Sequence, residues 1–598
     1  MHLAGITRGG TAGSAGRAGI VATAWCDHPL AMLVSVVIPT YNAGWYLEAG
    51  IASLMRQTLP RDAFEVIAVD DGSTDDTPAR LDAMADRYPN LSVVRSEHSG
   101  WPGRPRNIGI ERARGEFIQF MDQDDEMSPD SLRRLVAMGQ ENHADIVLGK
   151  VTSDFRPVAL GLYARNRPSC TIHDAPLIDS LTPHKMFRRT FLAEHAIAFP
   201  EGRRRLEDQL FVVKAYFAAS SVSILADEPC YFYLKRDVAA QDHIGSLHSD
   251  PPGYYDNLRE VLDVVIANTE PGAARARILR RFCRVQMLLP LRTRRFLGAD
   301  IARQARLFAD VRGVYLDYID ELVEAGIGAV GRIRGALIRS GRLDALIRLN
   351  QRLLEPRAPS RVTSARWDDG KLRLKFSAGI DLSEGRLLLR RHGGRTQLDP
   401  ALADGIVSEP IDVTDEVEDI GAGLLLHERA TAVEWAVPST VTLSLAEDQH
   451  SAASMVPFQI EGTATIDPER LAVGRPLGVG EWEVRTRINA FGLDLAPYPL
   501  GDAMSQGRSI RPLPPLYWPP DRLVRSRVSP GSGATVEVSR VDRRPKGAKD
   551  AIPVGAAAIT LAAVHRTGRR IRRRLPGALR QPTSGAYRWL RSRIRSLG

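Results

Sequence analysis

Phe117-Ile118-Gln119-Phe120-Met121-Asp122-Gln123-Asp124-Asp125-Glu126 is the stretch on which the reading of this chain turns. An apolar run with the character of a buried strand empties into four carboxylates within five residues. Like charges this close repel, and one partner's pKa rises unless something neutralises them. An oxygen-only cluster at a strand end suits a hard divalent cation, Mg2+ or Mn2+. The plainer reading is an acidic, solvated loop ahead of a helix that starts at Ser128-Pro129.

Upstream, Leu33 to Ile38 and Phe64 to Val69 are continuous apolar, β-branched runs. They predict strands buried on both faces, as in a parallel sheet. Leu91 to Arg95 and Glu116 to Met121 predict two more strands. Helical spacing over 45–57, 77–88 and 107–114 fills the intervals. The alternation predicts an α/β, Rossmann-like, doubly wound sheet, in which ligands bind at the carboxyl ends of the strands. Three of these four strands end in polar or acidic loops, so the site falls on one edge.

Four segments, SVVIPTYN (35–42), VIAVDDGSTDDT (66–77), RPRNIGIERARGEFIQFMDQDD (104–125) and RRRLEDQLF (203–211), occur in order. Together they resemble the family 2 glycosyltransferases of the GT-A fold, over about residues 32–250. The resemblance implies a nucleotide-sugar site built from Pro39, Thr40, Tyr41, Asp71, Arg106, Asn107 and Asp122. Tyr41 would lie against the base, where stacking on an aromatic face is worth about 1–3 kcal/mol. Asp71 would accept a hydrogen bond from the base. Arg106 and Asn107, read as preceding the next helix, would support the acidic loop and the nucleotide. Asp122-Gln123-Asp124 matches the family's DxD motif, with Asp122 and Asp124 as ligands of a divalent ion (Mn2+ or Mg2+) and Asp125 as a helper. Asp208 would be the catalytic base of an inverting displacement, with Glu207 an orienting partner, and Lys185 would face the diphosphate or the acceptor. Each position also has a structural reading: a turn at Tyr41, an Asp-Gly turn and helix cap at Asp71, an N-cap at Asn107, and acidic residues favoured by a helix N-terminus at Asp208.

The rest of the chain is organised differently. Residues 251–356 carry helical three–four spacing and predict a helical linker or bundle. From 357 to 545 short alternating segments, among them SARWDDGKLRLKFSA (364–378) around an Asp-Gly turn, predict one or two antiparallel β-sandwiches. Residues 1–31 are rich in Gly, Ala and Thr; they predict disorder, or a natural start at Met32. The end of the chain, 546–598, reads as a basic tail, and its last part, 565–598, holds eleven arginines and no carboxylate. Much of the net charge of +9 therefore lies there. An intermittent apolar face (Trp589, Leu590, Ile594, Leu597) fits the inner face of an anionic membrane better than nucleic acid. Cys26, Cys170, Cys230 and Cys283 are far apart and show no CxxC spacing, which favours a reducing cytoplasm over a disulfide framework. No run approaches the roughly 18 apolar residues that span a bilayer.

The layout resembles bacterial glycosyltransferases that decorate wall teichoic acid, whose C-terminal β domains mediate trimer formation. That resemblance implies transfer from a UDP-linked sugar to a teichoic-acid-like or other cell-surface polysaccharide acceptor, by a cytoplasmic enzyme peripheral to the membrane. The alternative is an inactive GT-A scaffold serving as a binding or assembly protein.

Overall fold

The computed structural model describes residues 32–235 (154 excepted), 253–399, 402, 411–444, 455–502, 516–518, 522–529 and 533–540. The expectations for 1–31 and for the basic tail lie outside these residues.

The N-terminal half is one mixed sheet. In chain order its elements are β1 (Val34–Thr40), α1 (Tyr46–Met55), β2 (Phe64–Asp70), α2 (Thr77–Arg87), β3 (Leu91–Arg95), α3 (Gly103–Arg112), β4 (Phe117–Phe120), β5 (Glu126–Met127), α4 (Ser131–Glu141), β6 (Ile146–Ser153), β7 (Arg167–Cys170), β8 (Met186–Arg188), α5 (Arg189–Glu194), α6 (Glu207–Ala218) and β9 (Val222–Tyr233). The strand order is β3-β2-β1-β4-β8-β6-β9-β5, with β7 also on β9. β1 pairs in parallel with both β2 and β4, and β2 in parallel with β3. All seven residues of β1 and of β2 are buried, as their unbroken apolar runs require. The sheet is not parallel throughout, because β8 runs antiparallel between β4 and β6.

The third helix starts earlier than its spacing suggests. α3 begins at Gly103, so Arg104, Pro105 and Arg106 form its first turns instead of preceding it. A proline costs nothing in a first turn, where the N–H has no intrahelical partner. Gly109 lets α3 sit directly on β1, since a Cβ there would lie 2.2 Å from Val37 Cγ1. This close approach brings Arg106 under the carboxyl end of the sheet.

An aromatic cluster ties the two acidic segments together. Phe120, two residues before Asp122, meets Phe199 and Phe211 edge-on at 5.2 and 5.8 Å. Phe211, three residues after Asp208, stacks on Phe199 at 3.9 Å. Each such pair is worth about 0.5–1.5 kcal/mol beyond its buried area.

Beyond the sheet come helices from α7 (Tyr254–Ala267) and α8 (Ala273–Phe282) to Leu343–Arg352. Their core is continuous with that of the N-terminal half, with Leu258 and Leu262 in one cluster with Leu210 and Phe211. The C-terminal region holds a five-stranded sheet and a larger one built on Gly421–Glu428 and Gly480–Ala490. Val362, Leu374 and Phe376 of the first meet Leu424, Trp435 and Val536 of the second, so the two share one sandwich core. The Ser360–Asp368 and Lys371–Gly379 strands pair across the expected Asp-Gly turn.

Candidate active site

The carboxyl ends of β1, β2 and β4 converge with the start of α6. Thr40 ends β1 with its hydroxyl turned inward to Val69 O (3.0 Å), and Pro39 is buried beside it. Tyr41 is exposed enough to serve as a platform and stacks on His98 at 4.1 Å. Asp71 is 3% exposed. It accepts from Ser99 N–H (3.0 and 3.1 Å) and Ser99 Oγ (2.8 Å), and His98 Nδ1 lies 3.1 Å away. Gly72, at φ +70°, is required in this turn, because a Cβ there would sit 2.8 Å from His98 N.

The acidic loop is built from below. Gln123, the middle residue of the DxD match, accepts from Tyr41 N–H (2.8 Å) and donates to Tyr41 O (3.1 Å), joining the β1 and β4 loops. Asp122 Oδ1 accepts from Arg106 Nη2 at 3.1 Å, and its Oδ2 lies 2.9 Å from His184 Nε2. Burial alone would raise the Asp122 carboxyl, but His184 and Arg106 outweigh it and hold it well below the usual range. Asp125 shows the opposite outcome. It is buried against Tyr231 and the charges of Asp124 and Asp122, and its carboxyl is pushed well up.

Arg106 is the bridge to the second acidic segment. It is buried, and its other nitrogen, Nη1, reaches Glu207 Oε1 at 3.4 Å. Trp101 Nε1 donates to the second Glu207 oxygen at 3.0 Å. Glu207 is thus fixed from two sides, which presents its neighbour Asp208 at the helix start. Leu206, just before, is held left-handed at φ 63°, a conformation a non-glycine residue adopts at a cost. Burial first, and then the Glu207 charge, push the Asp208 carboxyl up to about 7. Lys185, from β8's approach, is buried and pushed down to about 7, with Asp208 as the charge that opposes the shift.

Asn107 does not face this cluster. Its side chain donates to Phe199 O and Glu201 Oε1, both at 2.9 Å, and accepts from Phe199 N–H, so it pins the loop before α6. The side chains that could hold an ion are not grouped as the expected Asp122 and Asp124 pair. Among the described residues the ligand atoms that gather within 4.8 Å belong to Asp122, Asp125 and His184, while Asp124 stands half-buried outside that group. His184 Nε2 is buried and makes no aligned hydrogen bond, although its Nδ1 meets Tyr233 OH at 3.0 Å. Burial lowers the imidazole's pKa, and the neighbouring Asp122 charge opposes the shift. Two carboxylates and an imidazole fit Mg2+ or Mn2+, and the nitrogen favours the transition metal. His184, Gln123, Tyr231 and Trp101 were not legible as site residues. The one signal for His184 was its place beside Lys185 at the start of an apolar strand.

With this geometry in view, comparison with known proteins places the chain. Residues 35–205 match the family model described as Glycosyl transferase family 2, and residues 251–350 match that of the Glycosyl transferase TarS linker domain. Glycosyltransferase GlyG of Streptococcus pneumoniae serotype 4 is 36% identical over 222 residues, 34% of this chain and 71% of that protein. The chain belongs to glycosyl transferase family 2. Within the family, poly(ribitol-phosphate) beta-N-acetylglucosaminyltransferase TarS of Staphylococcus aureus (strain Mu50) is 32% identical over 361 residues, 59% of this chain and 61% of that protein. The chain spans 39% to 61% of the length of the first curated relatives it matches. The crystal structure of S. aureus TarS has the same fold over 88% of each chain, at a TM-score of 0.50 and 19% identity. This family member is therefore a GT-A sheet followed by a helical region and antiparallel β-sheets.

Proposed function

We propose that the protein transfers a sugar, with inversion, from a UDP-linked donor to a polyol-phosphate chain of the wall-teichoic-acid type. The observation that carries this reading is the Arg106 bridge, in which one buried guanidinium joins Asp122 to the Glu207-Asp208 pair. The curated relatives that act on poly(ribitol-phosphate) support the acceptor class.

In this reading Tyr41 and Asp71 form the base end of the donor site, with Pro39 and Thr40 supporting the turn between them. Asp122 would hold a divalent ion together with Asp125 and His184, with Asp124 on the open side of the loop. That ion would offset charge on the departing diphosphate. Asp208 takes the proton of an acceptor hydroxyl as its oxygen attacks the anomeric carbon. The carbon–oxygen bond to the nucleoside diphosphate breaks on the opposite side, so one displacement inverts the configuration. A carboxyl pushed up to about 7 suits a base working near neutral pH. Lys185 lies buried near that base, toward the diphosphate or the acceptor, and Asn107 acts at a distance by fixing the loop before α6.

The reading extends to a cytoplasmic enzyme. Cys170, Cys230 and Cys283 are free and buried, which supports a reducing compartment. Among the described residues no helix is long and apolar enough to cross a membrane. Peripheral contact with an anionic membrane is supported by the arginines of 565–598, and assembly into a trimer by the architectural likeness alone. The test is a panel of nucleotide sugars offered with polyol-phosphate oligomers, the anomeric product being read by NMR. The expected result is transfer from a UDP-sugar with inverted configuration and its loss in Asp208→Asn. Retention of configuration, or full activity in that variant, would overturn the reading.

A further inference from the structure

Strand β9 has different neighbours on its two faces, because successive side chains on a strand point to opposite sides. On one face Tyr231 donates its hydroxyl to Asp125 Oδ2 at 2.7 Å and accepts from Asp122 N–H at 3.0 Å. Just beyond the strand, Leu234 N–H donates to Asp125 Oδ1 at 3.0 Å. The main chain of β9 also pairs with β5, placing Glu126 opposite Phe232 and Met127 opposite Tyr231. The acidic loop therefore hangs at both ends on residues 231–234. A β5 of two residues adds little rigidity of its own, so the loop is only as fixed as β9.

On the other face Phe232 packs against the core of the C-terminal sandwich. Around it the sandwich is clamped to the catalytic sheet. Arg475 binds Asp227 at 2.8 Å and Glu228 at 3.0 Å, and Arg134 of α4 binds the same two carboxylates at 2.7 and 2.8 Å. On neighbouring β6, Lys150 is 2% exposed. Its Nζ donates to Glu434 O at 2.7 Å and lies 3.4 Å from the centre of the Trp435 ring. Thr152 Oγ1 donates to Thr431 O at 3.3 Å. A lysine is buried this far only where its lost hydration is replaced, and here the sandwich supplies both the carbonyl and the ring face.

We infer that the C-terminal sandwich is a positioning element for the donor site: by docking on β6 and β9 it fixes Phe232, and through Tyr231 and Leu234 it fixes the main chain at Asp122 and the carboxylate of Asp125. This rests on the reading of the acidic loop as the metal and diphosphate end of the donor site. Phe232 and Arg475 are accordingly positioning residues, which act without touching the nucleotide.

The experiment is a calorimetric titration of the full chain with UDP in the presence of Mn2+, for wild type, Phe232→Ala, Phe232→Leu and Arg475→Ala, alongside donor KM, kcat and thermal midpoint. Phe232→Ala is expected to weaken binding and raise donor KM about tenfold, with kcat within about twofold, since small displacements of binding groups carry large penalties. Phe232→Leu should restore most of the loss, and Arg475→Ala should weaken binding about threefold, the modest loss expected of a partly exposed ion pair. A merely structural role would lower the thermal midpoint and leave the dissociation constant unmoved; that result overturns the inference. Should Phe232→Ala fail to fold, Arg475→Ala decides, because its side chain is half exposed and outside the core. If wild type itself binds no UDP with Mn2+, it is the donor-site reading that fails, and this inference fails with it.

Discussion

Asp122 and Asp208 sit at the two ends of the same arginine's reach and are driven in opposite directions. Asp122 meets Arg106 and His184 directly, and its carboxyl is held well below the usual range. At Asp208 the same arginine makes no ion pair among the described contacts, because its second nitrogen goes to Glu207. Burial and the Glu207 charge then carry Asp208 up to about 7. One acidic residue is thus kept as a permanent anion, suited to a cation or a phosphate-bound ion. The other is left able to take up a proton near neutral pH. The difference lies in which carboxylate has His184 and the Arg106 guanidinium at contact distance.

The strongest way to break the contrast is Asp208→Asn. It removes the proton acceptor and leaves the donor end intact, so kcat should fall by about 10²–10⁴-fold while UDP affinity stays close to wild type, as read by steady-state kinetics and calorimetry. Arg106→Met removes the shared counter-charge and leaves the buried Glu207 without its ion pair, while the half-exposed Asp122 keeps access to solvent. It should cost about 3–5 kcal/mol in denaturant unfolding, the scale for breaking a buried pair from one side. His184→Gln should weaken Mn2+ binding about tenfold, the loss expected when a metal's immediate surroundings lose one supporting group, and should abolish the nitrogen coupling in the spectrum of bound Mn2+. An unchanged Mn2+ spectrum would place the ion away from His184.

The smallest effect sharpens the comparison instead of breaking it. The base works when deprotonated, so kcat/KM should fall about tenfold per unit as pH drops below about 7. Glu207→Gln removes the neighbouring negative charge that raises Asp208. The inflection should therefore move to lower pH, with the plateau rate at high pH changed little. A shift to higher pH would contradict the assigned cause.

Much of the catalytic half was legible because its signals are local. Buried parallel strands need unbroken apolar runs, and Val34–Thr40, Phe64–Asp70 and Leu91–Arg95 lie within two residues of where those runs predict them. α3 starts four residues before the helical spacing at 107–114, and Pro105 sits in a first turn that tolerates it. Asn107 was placed near the nucleotide by the family resemblance; helical rotation sends consecutive side chains about 100° apart, and its amide reaches Phe199. His184 was invisible for another reason. Its partners Asp122 and Tyr233 are far from it in the chain and arrive only when β8 inserts beside β4.

By itself the sequence determined the α/β alternation, the edge on which the acidic loops emerge and the change to short strands after the helices. These follow from periodicity and from charge placed at strand ends, both properties of contiguous residues. Only the tertiary structure decided which carboxylate stays charged, that His184 joins Asp122 and Asp125, and that the sandwich reaches back to β9. Those outcomes depend on burial and on pairs distant in the chain, and the electrostatics of a carboxylate is set by what folding places within a few ångströms of it.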